Sequence, residues 1–279
     1  LEGYMDGVPE SFCRHKGSSY ALPFTYATQV LFYRADIFAD DILRREFERK
    51  YRMPLRPPNN WMEFNAIARF FTREHNDNSP TLYGTSLAAS FAEAFVAEFS
   101  PRQWAYGGSF VAEDGTVALR SKENEQALNS YLDSLQCASP RALRNTLTDE
   151  VNEFINGESA MLVAFLNFAD DIADRLKSKV IGKVGYGIIP GQCPVLAGWN
   201  LAINRHSANE EAGYRFARWA CGNDIALPYT ILGGFSAQTA PYRNSNLRNL
   251  YPWLDASIES FRYCRKRAAP YSPCKPIIP

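Results

Sequence analysis

The sequence contains no C-x-x-C pair, no H-E-x-x-H, no G-x-S-x-G and no Walker loop. These absences remove the readable signatures of a zinc site, a serine hydrolase and a phosphate-cradling nucleotide enzyme. No apolar run approaches the ~20 residues that a membrane-spanning helix needs, so direct membrane insertion is not expected. Net charge is lacking as well: thirty Lys and Arg residues balance thirty Asp and Glu. No overall field steers such a chain toward nucleic acid or an anionic membrane. The short basic run from Arg262 to Arg267 reads as a solvated helix end. Histidine is scarce, and His15, His75 and His206 are scattered, which argues against a metal centre; no cofactor is expected. A starting methionine and a signal segment are both missing from "LEGYMDGV", so a mature, processed or shortened product is expected.

Cysteine is present but uncommitted. Six stand at 13, 137, 193, 221, 264 and 274. An even count permits disulfides in an oxidising compartment without demanding them, and buried thiols are the competing reading. Cys264 and Cys274, close together across a proline-rich segment, are the candidate pair.

What the chain does have is apolar mass. Its 279 residues are 46% hydrophobic and 14% aromatic, enough for a real core and for two lobes. The run "YALPFTYATQVLFYRADIF" predicts a strand from Ala21 to Tyr33 whose first half carries Thr25, Tyr26, Thr28 and Gln29. Four hydroxyl or amide groups suit a strand that leaves one body, passes a ligand and enters another. Helical spacing of Ile42, Leu43, Phe47 and Tyr51 predicts a surface helix. Asn60 with Glu63 three residues on predicts a capped helix that buries Trp61, Phe64, Ile67, Ala68 and Phe71. Asp114-Gly115 predicts a tight hairpin, and Ser121 a helix start. Asn156-Gly157 closes a further helix ahead of a strand from Ala160 to Phe165. Later segments predict a strand over "LAGWNLAINRHS", then a helix with Ala212, Phe216, Ala217 and Ala220 inward. "LPYTILGGFSAQTAPYRN" reads as loop-rich, and the tail from Leu247 as helical to about Lys266. Alternating strands and helices point to an α/β chain with largely parallel pairing.

The order of these pieces resembles the family 1 extracellular solute-binding proteins of ABC importers, the maltose-binding-like group. The carriers are the crossover-strand run just quoted, "PPNNWMEF", "WAYGGSFVAEDGTVALRSKENEQALNSYLDSL", "FINGESAMLVAF", "LAGWNLAINRHSANEEAGYRFARWACG" and "GGFSAQTAPYRNS", collinear from Tyr20 to Asn246. The resemblance implies a two-lobed, type II periplasmic-binding-protein-like α/β architecture with a carbohydrate held between lobes. Only nineteen residues precede Tyr20, where the family has a much longer stretch, which implies an incomplete N-terminal lobe. The expected division is 1–25 as remnant of that lobe and first hinge strand, and 26–194 as C-terminal lobe. Residues 195–246 return to the N-terminal lobe, and 247–279 form a helical tail and final crossover. Implied partners are a small carbohydrate and the permease subunits of an importer, in a periplasmic or extracellular setting.

A neutral sugar offers C–H faces and hydroxyl rims, so its site wants flat aromatic faces and polar groups on loops. Each aromatic platform would contribute ~1–2 kcal/mol by shielding apolar area. Trp199 is the leading candidate, flanked by Gly198 and Asn200; a core tryptophan with a strand-capping Asn200 is the alternative. Trp104 and Tyr106 before Gly107-Gly108 form either a platform or helix–hairpin packing. On alternation Tyr26 and Thr28 are paired as the cleft face. Ala27 stands where the resemblance implies an acidic residue, which removes a hydroxyl acceptor. Asn167, beside Phe165, serves the cleft edge or caps a helix, and Gly234 and Phe235 lie on a ligand loop or simply pack. Trp61 and Trp219 are assigned to the core. A sensing or interaction module on the same scaffold is the alternative function. No isolated carboxylate pair supports a glycosidase, since Asp170, Asp171 and Asp174 share a helix-like stretch with Arg175.

Overall fold

The computed structural model describes residues 3–4, 12–16, 18–90, 92–112 and 114–266. Two short strands, β1 (Arg14–His15) and β2 (Ser18–Ser19), pair antiparallel ahead of β3 (Leu22–Arg34), a thirteen-residue strand on which the rest is organised. Over Gln29 to Tyr33 its partner is β5 (Ser159–Phe165), antiparallel. On its other edge it pairs with β6 (Val184–Gly187) through Leu31 to Arg34. Over Leu22 to Thr28 its partner is instead β7 (Val195–Leu201), antiparallel, with an irregularity between Pro23 and Thr25. The sheet continues by parallel pairing from β5 to β4 (Tyr83–Thr85) and from β7 to β8 (Arg265–Lys266).

β3 therefore changes neighbours near Gln29, as a strand passing between two bodies does. Pairing direction departs from expectation: among the described residues all three partners of β3 are antiparallel, and only the two outer pairs are parallel. A central strand that leaves one half of the sheet for the other meets its neighbours running back.

The helices are α1 (Ala35–Phe38), α2 (Asp41–Tyr51), α3 (Trp61–Phe70), α4 (Ala92–Ala105), α5 (Lys122–Leu135), α6 (Leu147–Ile155), α7 (Ala169–Ala173), α8 (Glu210–Ala220), α9 (Asn223–Ile231), α10 (Ala240–Arg243), α11 (Ser245–Leu250) and α12 (Trp253–Tyr263). Local chemistry sets their starts. Asn60 Oδ1 accepts from Glu63 N at 2.8 Å, and Glu63 reaches back to Asn59 N at 3.0 Å, one residue beyond the capping-box partner. Ser121 and Thr146 cap α5 and α6 through their hydroxyls, the latter in a full capping box with Asp149.

Burial follows the two faces of β3. Tyr26, Val30 and Phe32 face Leu162, Ala164, Phe154, Phe235 and α12 residues Trp253, Leu254 and Ala256. Leu31 faces Met161, Val163 and the aromatic set Phe38, Phe47, Trp61, Phe64, Phe70 and Phe71. A strand covered on both sides reads as an unbroken apolar run.

Several expectations are corrected here. "LPYTIL" is helical within α9 rather than loop, with Pro228 inside the helix. The tail is two helices broken at Tyr251-Pro252, ending in β8 rather than helix. Ile42 lies on solvent rather than against the core. On α8, Ala217 is buried but Phe216 is 60% exposed, Ala212 is exposed, and Trp219 is 58% exposed rather than in the core. Burial on α8 narrows to Ala217, with Gly213 and Ala220 half-buried, so one line of small residues faces the body and the bulky aromatics lie outside it. Cys137, Cys193, Cys221 and Cys264 hold free thiols; the proposed partner Cys274 lies outside the described residues.

Candidate functional site

Where β3 changes neighbours, its outward-facing side chains open onto a cavity of about 400 Å³. Thr25 and Ala27 from β3 and Ala197 and Trp199 from β7 form one wall, paired across the strands as Thr25 with Trp199 and Ala27 with Ala197. Glu93 and Ala97 from the start of α4, Leu147 from the start of α6, and Phe165, Asn167 and Phe168 from the β5–α7 connection form the opposite side. Tyr229, Gly233, Gly234 and Phe235 close it. Beneath lies a small apolar layer of Ala97, Phe165 and Val195.

Each part is held in place by identifiable contacts. Gln29 sits buried at the change of partners. Its Nε2 donates to Ala97 O at 2.9 Å and its Oε1 accepts from Val195 N at 3.0 Å, so one amide joins α4, β3 and β7. The 235–237 segment docks on the free edge of β3: Tyr26 N donates to Phe235 O at 3.0 Å, Thr25 Oγ1 to the same oxygen at 2.7 Å, and Ala237 N to Phe24 O at 3.1 Å. Gly233 ends α9 with φ +90°, donating to Thr230 O while Gly234 donates to Tyr229 O at 2.8 Å, a left-handed helix stop that favours glycine. A Cβ on Gly234 would fall 2.3 Å from Tyr229 Cζ, so that glycine lets the Tyr229 ring lie against the loop, where it also stacks on Phe24 at 5.2 Å.

Of the residues named from sequence, Gly198, Trp199, Asn167, Gly234 and Phe235 line this one cavity, and Trp199 is 76% exposed within its rim. Five others do not. Tyr26 and Thr28 point to the opposite face of β3 and are fully buried. The Tyr26 hydroxyl donates to Asn200 Oδ1 at 2.5 Å, and burial, then the Cys13 thiol, push that phenol well above its ordinary range. Asn200 is thereby committed behind the wall, where it also accepts from Cys13 Sγ at 3.0 Å. Gly198 serves this arrangement: a Cβ there would lie 2.5 Å from Tyr26 Cδ1. Trp104 packs partly buried against the layer beneath the cavity, and Tyr106 against two interior clusters.

Sequence reasoning passed over Glu93, Leu147, Phe168 and Tyr229 and preferred the wrong phase of β3, leaving Thr25 and Ala27 aside. Leu147 follows the Thr146 cap and Glu93 opens α4, so both stand at helix starts. That signal marks a helix end but not what it faces.

Aromatic faces, a hydroxyl, an amide and a carboxylate thus meet in one cavity at the point where a sheet strand changes partners. Residues 2–245 match the family model described as bacterial extracellular solute-binding protein, and the chain belongs to that family. The mannitol-binding protein of Pseudomonas aeruginosa is 27% identical over 276 residues, covering 95% of this chain and 59% of its own length. Maltose-bound T. maritima MalE3 superposes with a TM-score of 0.80 at 22% identity, over 95% of this chain and 66% of that one. An ABC transporter solute-binding protein from Agrobacterium radiobacter K84 in complex with ribitol gives 0.77 at 23% identity, over 94% and 64%. The fold is thus that of the two-lobed sugar-binding proteins. The chain spans 59% of the length of the curated relatives it matches.

Proposed function

We propose that this chain captures a neutral carbohydrate or polyol in the cavity at β3 and β7 and delivers it, outside the cytoplasm, to the permease subunits of an ABC importer, without catalysing a reaction. The observation that carries the reading is the solvent-open Trp199 ring set in the same cavity as Tyr229, Asn167 and Glu93. An exposed tryptophan on a strand has a large apolar face to shield, and a sugar or polyol backbone shields it while its hydroxyls meet the amide and carboxylate. Mannitol, ribitol and maltose, the molecules named with three similar proteins, share that neutral, hydroxyl-rich chemistry. The transporter description of the ribitol-bound relative favours delivery over sensing.

In this reading residues 26–194 act as one lobe, and 195–246 with the start of β3 belong to the other. Among the described residues no helix is long and apolar enough to cross a membrane. Thermal-shift and calorimetric titration of the 279-residue chain with mannitol, ribitol and maltose tests the proposal. Stabilisation by at least one of them is expected, with the affinity about tenfold weaker in W199A. No response to any member of a wider neutral-sugar panel would sink it.

A further inference from the structure

The cavity is lined by one carboxylate, Glu93, and by residues at the starts of α4 and α6. Helix starts ordinarily attract anions through unpaired N–H groups and the positive end of the helix dipole. Here each start already carries its own acid. Glu93 stands in the first turn of α4 and lines the cavity. At α6, Asp149 Oδ2 accepts from Thr146 N at 2.8 Å, closing the capping box next to Leu147. A second carboxylate stands close by: Asp170 Oδ2 lies where a Cβ on cavity-lining Gly233 would come within 2.1 Å. Among the described residues no Lys, Arg or His lines the cavity.

We infer that the Glu93 carboxylate makes this cavity selective for uncharged and amino-bearing polyols over their phosphorylated or carboxylated counterparts, an inference that rests on the carbohydrate reading above. A hydroxyl entering the cavity donates to Glu93 in a charge-assisted bond and leaves no charge unpaired. A phosphate loses part of its hydration, meets carboxylates and finds no cation to replace the lost water. The selectivity is built by repulsion of the wrong ligand as much as by attraction of the right one.

The test is calorimetric titration of the 279-residue chain with mannitol, mannitol 1-phosphate and the corresponding amino-deoxyhexitol at neutral pH, at low and high salt. Mannitol should bind at least about tenfold more tightly than its phosphate, a gap of ~1.4 kcal/mol or more that narrows with salt. Glu93→Gln should shrink that ratio several-fold, Glu93→Lys should turn it toward the phosphate, and Glu48→Gln on the distant surface of α2 should leave it unchanged. Equal affinity for mannitol and its phosphate overturns the inference and leaves the carbohydrate reading standing. A ratio untouched by both Glu93 substitutions removes Glu93 as its cause. Binding of neither these nor any neutral sugar withdraws the reading, and the inference with it.

Discussion

Trp199 and Tyr26 stand on neighbouring strands yet do opposite things, and a single glycine between them explains how. Gly198 leaves room for the Tyr26 ring on the inner side, while Trp199, one residue on, faces the cavity. Substituting each separates the two roles. Trp199→Ala should weaken ligand binding about tenfold, the ~1–2 kcal/mol of one shielded aromatic face, with the unfolding midpoint almost unmoved because the ring is open to solvent. Tyr26→Phe should do the reverse. Losing the buried hydroxyl bond to Asn200 should cost about 1 kcal/mol of stability in denaturant titration, with ligand affinity unchanged. Gly198→Ala should be the most damaging of the three to folding, because the clash is with a fully buried ring and with the backbone oxygen of Thr25.

At the scale of elements, much of the chain was legible because local chemistry decided it. The Asn60 cap, the Ser121 cap and the strand from Leu22 follow from short-range donors, acceptors and side-chain shape. The phase of β3 did not follow. From Thr28 to Phe32 every residue is buried, so no polar alternation marks which face is which, and the bulky Tyr26 suggested a platform when it was filling a core. The cavity also draws on β3, β7, α4, α6 and the loop after α9, and no sequence window contains that meeting. α8 shows the same limit: the helix was legible, but its inward face was not, since Phe216 and Ala212, expected inward, lie on solvent. Phe216 and Trp219 stand 5.8 Å apart on its open face. Replacing both with Lys should reduce self-association in sedimentation and the binding of an apolar dye, while changing stability by no more than about 0.5 kcal/mol per site. A large loss of stability on those changes would mean that the face is covered.

The whole molecule carries a charge cluster that should make its stability depend on pH. Glu98 and Glu150 are buried together, with one guanidinium, Arg102, 3.6 Å from Glu98 and stacked 3.9 Å over Trp61. Tyr131 and Glu153 complete the surroundings. Burial, only partly offset by Arg102, raises Glu98 to about 7. Burial and then the neighbouring Glu98 raise Glu150 well above the usual range. The folded chain thus keeps protons that the unfolded chain, with ordinary glutamates, has released. From roughly pH 4.5 to pH 7 the unfolded state binds fewer protons, so stability from this cluster declines as pH rises, by up to about 1.4 kcal/mol per pH unit for each proton. Glu150→Gln should flatten that slope in melts run across this range; an unchanged slope would place the titration elsewhere.

Gln29 extends the same reasoning to the scaffold. Gln29→Leu should cost about 2–4 kcal/mol by stranding Ala97 O and Val195 N, and should weaken ligand binding because α4 and β7 lose their common tie. Over Thr25 to Thr28 the strand that carries this amide presents the cavity on one side and the interior on the other with a period of two residues. Lengthening or shortening it by a single residue between Phe24 and Thr28 would thrust the Tyr26 phenol into the cavity and drive Thr25 into the hydrophobic interior. Evolution can therefore exchange letters along that stretch freely, but it has almost no licence there to add or delete one.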